Sequence, residues 1–543
     1  MTTAAEEIVY PDGRHELRPE VDASLGGSPL HNGDLAPTAL PKRTWTTYNY
    51  LALWVGMSIN LPSWALAAGL IALGMDWVQA IFTIALGNII VLIPMLLISH
   101  AGTKYGIPYP VVSRASFGVW GANLPALLRA GVACGWFGIQ TWIGALAVFG
   151  IGAAVFGELF GDDNFWTTAG KISIGLGDAA AQPWTMWLSF LIFWAANILI
   201  IVYGMNAVKR FENFVAPFLV LVFAVLMVVM VIDAGGLGPV IEAPGSLGWG
   251  ADFWAVFPIS LMGMIAFWST LSLNMPDFTR FGRSQREQAV GQAAGLPTTM
   301  TLFPLIGVFT VSAAAIVYGE TFWDPNALVA KIDNVLIVVF MLTTFALATL
   351  STNVAANVVS PSYDFSNAWP RRISFRTGGI ITGIIGILIM PWYLFSDPSI
   401  YIFTWLGTYG GITGAIAGVL IADYWLIRRK NLKLADLYRP EGIYRYTSGW
   451  NWRAVVALVV GAFFAIGGAY TPAGQNGPFP AGGVLPFLKW DLTIGEFVFN
   501  LYDYSWVVAL VIGFVLYWIF ARFIPQKGQE VPASEAQEAP SAA

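Results

Sequence analysis

Three polar clusters interrupt long apolar runs, and their residue types suit the holding of a flat, neutral ring beside a small cation. The first is WVGMSINLPSW, residues 54–64, where Ser58, Asn60, Pro62 and Ser63 break an apolar stretch from Leu51 to Leu73. The second is GWFGIQTWIG, in which Trp136 and Gln140 stand four apart and share one helix face. An indole is a flat apolar platform, and an amide supplies both a donor and an acceptor. The third is ALATLSTNVAANVVSP, which crowds Ser351, Thr352, Asn353 and Asn357 into seven positions. Hydroxyl and carbonyl oxygens are hard ligands of the kind an alkali cation accepts, and Asn357 adds a second amide for a ring edge. Taken one at a time, each cluster also fits helix packing: a proline kink, a Trp wedged between helices, or small polar residues hydrogen-bonding across a bundle.

The chemistry that is missing narrows the field. No Asp, Glu or Lys falls well inside an apolar run, and Arg129 lies near the start of the third. Ionisable groups within a membrane usually mark a proton relay or a site for a charged substrate, so an uncharged substrate is expected. His15, His31 and His100 avoid the run interiors, and the one cysteine, Cys134, excludes an intramolecular disulfide and a Cys-based metal cluster. A membrane-embedded enzyme needs a nucleophile–base pair or metal ligands at mid-depth, and the apolar runs offer neither. A channel wants a continuous polar pore, whereas these polar residues gather at one depth. No cofactor and no nucleic-acid partner is expected.

Membrane-spanning helices have to position these clusters. Of the 543 residues, 57% are hydrophobic and 11% charged, where soluble domains carry about 25% charged. Apolar runs of about 20 residues match a hydrocarbon core roughly 30 Å thick. Apolar length and flanking breakers place twelve spans near 48–73, 77–99, 123–157, 185–203, 211–233, 252–275, 293–318, 335–359, 377–395, 399–427, 453–470 and 501–523. An all-α polytopic membrane protein is expected, bounded by lipid. With the N-terminus inside, the inner loops take Arg43, Lys104, Lys209, Arg210, Arg280, Arg371 and Arg428 with their basic neighbours. The outer loops then hold only Lys171, Lys331 and Lys489 of 27 basic residues. They carry Asp162, Asp163, Asp178, Glu242 and Glu320 instead. This is the positive-inside pattern, and it puts both termini in the cytoplasm of a multi-pass protein of the cell membrane. Residues 1–42 and 524–543 are polar and read as disordered cytoplasmic tails.

In lipid every backbone polar group must be satisfied within the protein, so a broken helix has to be buried or line a watery cavity. Pro62 predicts a break in the first span. PISLMGMIAFWSTLSLNMPDF, with Pro258, Gly263 and Pro276, predicts one in the sixth. Interrupted spans at matching places in two halves point to a transporter's binding site. Their spacing suggests two repeats, about 48–233 and 252–427, within a core of 43–435, followed by two more helices in 436–523.

Longer motifs agree. DLAPTALPKRTW, SINLPSWALAAGLIALGM, HAGTKYGIPYPVVSRASFGVWGANLPALLRA, WFGIQTW, LNMPDFTRF, STNVAANVVSPSYD and ADYWLIRRK follow one another from about Leu35 to Lys433. In these motifs the chain resembles the nucleobase:cation symporter-1 family of hydantoin, allantoin, uracil and cytosine–purine permeases. Within the family it is similar to the allantoin and uracil permeases, and more distantly to the sodium–hydantoin transporter. The resemblance implies a LeuT-like inverted repeat of five plus five helices, working by alternating access as a monomer. It implies a substrate-binding set of Asn60, Trp136, Gln140, Phe267, Trp268 and Asn357, with the ring between Trp136 and Trp268. It also implies a sodium site made by the carbonyls of Gly56, Ile59 and Ala348 and the hydroxyls of Ser351 and Thr352. Asn60 stands where the hydantoin transporter has a longer Gln, and Phe267 where it has Gly, so a different pose and a narrower pocket are expected. Both cation-site hydroxyls are kept, which favours sodium over a proton as coupling ion. The expected cargo is a small neutral nitrogen heterocycle such as allantoin, a hydantoin or uracil. A proton-coupled cytosine or purine permease is the alternative.

Overall fold

The computed structural model describes residues 6–176, 180–203, 206–489, 492–494 and 497–524, without the side chains of 203–217 and 492–499. Asp178, the side chains of Lys209 and Arg210, and all of the second polar segment except Ile524 lie outside the described residues.

From residue 6 onward the N-terminal segment is folded, contrary to the expectation of a disordered tail. A hairpin of β1 (Glu7–Val9) and β2 (His15–Leu17) leads into α1 (Pro19–Leu25). Four leucines spread through otherwise polar sequence, Leu17, Leu25, Leu30 and Leu35, are at most 5% exposed. They share a buried cluster with Leu434, Tyr438 and Tyr444. The Arg43 guanidinium donates to the carbonyls of Thr38 and His15, both at 2.8 Å. Glu7 accepts the Leu434 N–H at 2.7 Å.

The first span is two helices, α2 (Thr47–Ser58) and α3 (Leu61–Ala72), bent by 58° where Ile59 and Asn60 leave the helical path. α4 (Trp77–Tyr105) starts at Asp76, whose carboxylate accepts the Gln79 N–H at 2.8 Å, and stops at Gly106 in the left-handed region (φ 71°). α5 (Tyr109–Phe117) precedes α6 (Asn123–Phe160), the 38-residue third span. A hairpin of β3 (Lys171–Ser173) and β4 (Ala181–Pro183) leads to α7 (Trp184–Tyr203), α8 (Asn206–Asp233) and α9 (Leu237–Glu242).

The sixth span is not broken, which corrects the expectation. α10 (Ala251–Asn274) runs through Pro258 and Gly263, and Met275 stays helical (φ −52°, ψ −30°) into α11 (Pro276–Thr279). Pro276 opens α11, where its missing N–H would have had no helical partner. Gly263 serves close packing: a Cβ there would meet Ile402 Cγ2 at 2.9 Å.

The second half continues with α12 (Gln285–Tyr318), α13 (Pro325–Val329), α14 (Val335–Asn357), α15 (Val359–Ala368), α16 (Phe375–Leu388) and α17 (Pro391–Leu394). A π-helical turn at Ile400–Leu406 opens α18 (Gly407–Ile421), and another at Ala422–Ile427 closes it. α19 (Trp452–Ile466), the hairpin of β5 (Leu492–Ile494) and β6 (Phe497–Phe499), and α20 (Ser505–Phe523) follow.

Among the described residues eight helices are long and apolar enough to cross a membrane, and the bent pair α2–α3 makes a ninth. Three shorter apolar helices, Phe218–Asp233, Phe375–Leu388 and Trp452–Ile466, lie where the fifth, ninth and eleventh spans are expected. In the interior α10 packs on α4 and α18, α14 packs on α6, and α12 lies across α2 and α3. α14 also touches α2, so the helices of the first and third polar clusters meet.

Candidate substrate and cation site

Asn60 organises the first cluster. Its backbone is extended (φ −151°, ψ 164°), and its Oδ1 accepts the Ser63 N–H at 2.8 Å, capping α3. Its Nδ2 donates to the Met57 carbonyl, and its own N–H donates to the Ser58 carbonyl at 3.1 Å. In an unbroken helix the Gly56 carbonyl would take the Asn60 N–H, and the Ile59 carbonyl the Ser63 N–H. Both donors are diverted, so both carbonyls lose their helical partners. These are the two carbonyls that the family resemblance assigns to the cation. One Oδ1 lone pair and one Nδ2 hydrogen of Asn60 remain for a ring edge.

The aromatic residues gather between α6 and α10. Trp136 packs edge-on against Phe267 with ring centroids 5.1 Å apart, and Phe267 against Trp268 at 5.0 Å. The Phe267 ring therefore touches both tryptophans. Trp268 also stands nearly perpendicular to Trp54 at 5.1 Å. The Trp136 Nε1–H donates to the Tyr409 hydroxyl at 3.2 Å, which donates to the Ala266 carbonyl at 2.9 Å, and this relay fixes the indole plane. Gln140 Oε1 and Trp268 Nε1 are buried and have no hydrogen-bond partner among the described residues. An unpaired buried polar atom costs roughly 1–3 kcal/mol, and a ring bearing its own N–H and C=O groups would satisfy both.

α14 carries the third cluster. Asn357 Nδ2 donates to Asn353 Oδ1 at 3.0 Å, and Asn353 Nδ2 lies 3.2 Å from the Phe137 carbonyl, Thr141 Oγ1 and Asn197 Oδ1. Asn353 thus ties three helices together and orients Asn357. Ala348, Ser351 and Thr352 are buried on the same helix. A helical Ser or Thr usually bonds the carbonyl four residues back, as Thr344 does at 2.9 Å. Ser351 Oγ does not and is unpaired, which leaves its lone pairs available to a cation. The six residues that the family resemblance assigns to the substrate, Asn60, Trp136, Gln140, Phe267, Trp268 and Asn357, are each 3–5% exposed.

Sequence reasoning misses the tenth-span aromatics. Tyr401, Trp405 and Tyr409 recur every four residues and reach Trp136 with ring centroids at 6.0, 6.3 and 6.4 Å. That recurrence is the signal that marks them. It also misses buried charge at the Lys- and Arg-rich end. Arg129 pairs with Asp364 at 3.3 Å and Arg428 with Asp423 at 2.7 Å, all four at most 1% exposed.

Residues 37–509 match a family model described as permease for cytosine/purines, uracil, thiamine and allantoin. The chain belongs to this permease family. The allantoin permease of Bacillus subtilis is 39% identical over 513 residues, 94% of this chain and 95% of that one. The purine-uracil permease of Arabidopsis thaliana is 35% identical over 515 residues, 94% of this chain and 81% of that one. In structure the chain is similar to Mhp1, a nucleobase–cation-symport-1 family transporter, in a closed conformation with bromovinylhydantoin bound. That match has a TM-score of 0.70 at 26% identity and covers 91% of this chain and 96% of that one. As a nucleobase–cation-symport-1 permease the chain is a transporter and not an enzyme, and its architecture is the LeuT-like one that the resemblance implies.

Proposed function

We propose that this permease imports a small, flat, neutral nitrogen heterocycle of the allantoin, hydantoin or uracil kind, together with a cation. The observation that carries this reading is the presence of unpaired amide and indole atoms, Gln140 Oε1 and Trp268 Nε1, in a buried and uncharged aromatic site. A charged cargo would be desolvated there without a partner. Phe267 turns aside, and the ring enters between Trp136 and Trp268. Asn60, Gln140 and Asn357 read its imide or ureide edges, and a mismatched analogue is rejected because it leaves buried groups unpaired.

The coupling ion is sodium, held by the Gly56, Ile59 and Ala348 carbonyls and the Ser351 and Thr352 hydroxyls. The diverted N–H groups around Asn60 and the unpaired Ser351 hydroxyl support this assignment. Sodium favours the outward-open form by binding it better, which links the gradient to uptake. The Lys- and Arg-rich end faces the cytoplasm with both termini, the three shorter apolar helices complete twelve spans, and the unit is a monomer in the cell membrane.

Competition uptake of labelled allantoin, hydantoin and uracil, with and without sodium, tests the reading. Saturable uptake of one of them is expected, lost in Trp136→Ala and Asn357→Ala. Unchanged uptake in those variants removes the site. Sodium-independent uptake that collapses with a protonophore removes the ion.

A further inference from the structure

At the Lys- and Arg-rich end, α5, α6, α10, α11 and α15 enclose a second polar cluster that the substrate site does not use. The Arg129 guanidinium meets Asp364 through a single bond, Nη1 to Oδ2 at 3.3 Å. Asp277 Oδ1 accepts the Tyr109 N–H at 2.8 Å, and Asn274 Nδ2 donates to Ser360 Oγ. None of these six residues is more than 2% exposed. Yet Arg129 Nε, Asp364 Oδ1, Asp277 Oδ2, Asn274 Oδ1 and Tyr109 OH all lack a hydrogen-bond partner. Three of these five atoms are acceptors with no donor.

Charge sharpens the point, because Asp364 pairs with the guanidinium and Asp277, buried in the same cluster, feels the same charge. The other cation nearby is Arg280, whose nitrogens donate to Thr38 Oγ1 and to the Asp34 and Ala36 carbonyls rather than to an acid. Asp34 faces Arg280 and Tyr363 from the N-terminal segment, and Tyr109, Tyr363 and Cys134 have ordinary pKa values that leave them uncharged at neutral pH. Two buried carboxylates that share a site cannot both ionise without a large repulsion, so one keeps a proton. Burial pushes the Asp277 carboxyl up, against the pull of Arg129.

We propose that Asp277 and Asp364 carry one proton between them while this end of the bundle is closed, so that only one of them is ionised, with Arg129 as their common counter-charge. The proton turns the carboxyl that holds it into a donor, beside the Ser360 hydroxyl that also reaches Asp277. Asp277 ends the α10–α11 arm, whereas Asp364 rides on α15 packed against α6. When the two arms part, water reaches both carboxyls, their pKa values return to the ordinary range, and the proton leaves for that side. Only an O–H bond is made on closing and broken on opening. The closed form therefore holds one proton more than the open form, and acid on that side favours closure. The opening step rests on the alternating-access reading, but the retained proton rests on neither the ring nor the ion bound at the central site.

Infrared spectroscopy of the full-length permease in nanodiscs at neutral pH tests the proposal. A protonated carboxyl C=O stretch is expected in the wild type and lost in both Asp277→Asn and Asp364→Asn, with retained substrate binding showing that each variant folds. If neither variant folds, the wild-type band and its shift in heavy water decide. A second measurement places a cysteine at Ser366 in a Cys134→Ala background and follows its labelling by a membrane-impermeant maleimide. Divided at each pH by the labelling rate of the same cysteine in denatured protein, which removes the thiol's own titration, the rate should fall by up to about tenfold per unit of acidification, and this remaining dependence should vanish in Asp364→Asn. A wild-type spectrum without the band overturns the proposal. So does a band and a pH dependence that survive both substitutions, which would leave an ordinary ion pair with bound water. The band is read without transport, so failure of the alternating-access reading would leave it standing.

Discussion

Asn60→Ala is expected to free the Ser63 N–H for the Ile59 carbonyl and thereby weaken the proposed cation site. The Asn60 side chain holds the Ser63 N–H at 2.8 Å and keeps it from the Ile59 carbonyl. Alanine cannot accept that bond, so the N–H turns to the Ile59 carbonyl and competes with the ligand, while Pro62 keeps the span bent. Loss of the cap costs α3 about 1 kcal/mol, part of it offset by the new backbone bond. A carbonyl on a cation resembles a hydrogen bond to a charged group, worth about 1.5–3 kcal/mol. At 1.4 kcal/mol per tenfold, the sodium concentration that gives half-maximal substrate binding should rise roughly 10- to 100-fold. Asn60→Ser is the control. Serine caps a helix about as well as asparagine, so sodium dependence should stay within about threefold while ring affinity falls with the lost amide. The assay is equilibrium substrate binding to the purified permease titrated with sodium, where transport steps do not intrude. An Asn60→Ala protein with wild-type sodium dependence refutes the link between cap and cation site. A serine variant as sodium-insensitive as the alanine one refutes it equally.

Four other outcomes are expected. Trp136→Phe removes the 3.2 Å bond to Tyr409 and part of the flat face. Its KM for uptake should rise about two- to tenfold, the worth of ~0.5–1.5 kcal/mol of aromatic contact, with sodium dependence unchanged. Phe267→Gly clears the ring that touches both tryptophans, so competition assays should show ring-substituted analogues gaining affinity, at a stability cost of ~3–5 kcal/mol. Asp324 caps α13 through the Asn326 N–H at 3.0 Å, and burial pushes its carboxyl from 3.8 up to about 6. The unfolded chain ionises first as pH rises, so thermal stability should fall from about pH 4 to about pH 6, and Asp324→Asn should flatten that slope and be the more stable at neutral pH. Leu35→Ala empties a fully buried anchor, which should cost about 2–5 kcal/mol and speed proteolysis within residues 6–42; a disordered tail would show no change.

What can be read in the sequence follows how local the physics is. The bend at Asn60 is legible because a missing proline N–H and a capping amide act within one turn. The intact sixth span is not legible, since Pro258 and Gly263 carry the same letters as a break. What decides Gly263 is Ile402, a distant residue packed where a Cβ would stand. Trp136 and Gln140 are legible as sharing a face, but the Tyr409 hydroxyl that fixes the indole comes from another span. The burial of Arg129 and Arg428 is hidden for the same reason. Hydropathy places such residues at span ends, whereas Asp364 and Asp423 draw them inside. The N-terminal segment misleads because composition averages over four leucines that have meaning only against the surface around Tyr438.

Two groups of unpaired buried polar atoms line the interface that alternating access has to open. At mid-depth they are Ser58 Oγ, Gln140 Oε1, Trp268 Nε1 and Ser351 Oγ; at the basic end they are Arg129 Nε, Asn274 Oδ1, Asp277 Oδ2 and Asp364 Oδ1. Four of these atoms sit on α2, α10 and α11, and four on α6, α14 and α15. A wholly apolar interface would be held shut by its buried area, at about 25 cal/mol per Å². Each unpaired atom removes roughly 1–3 kcal/mol from the closed form, and the loss is recovered when water, a ring or an ion arrives. The mid-depth atoms, with those at the basic end that the proposed proton leaves unpaired, reduce the advantage of the closed form. With that advantage reduced, the differential affinity of a bound ring or cation decides which form is populated. The polar residues that make these membrane helices untidy are thus what lets them part.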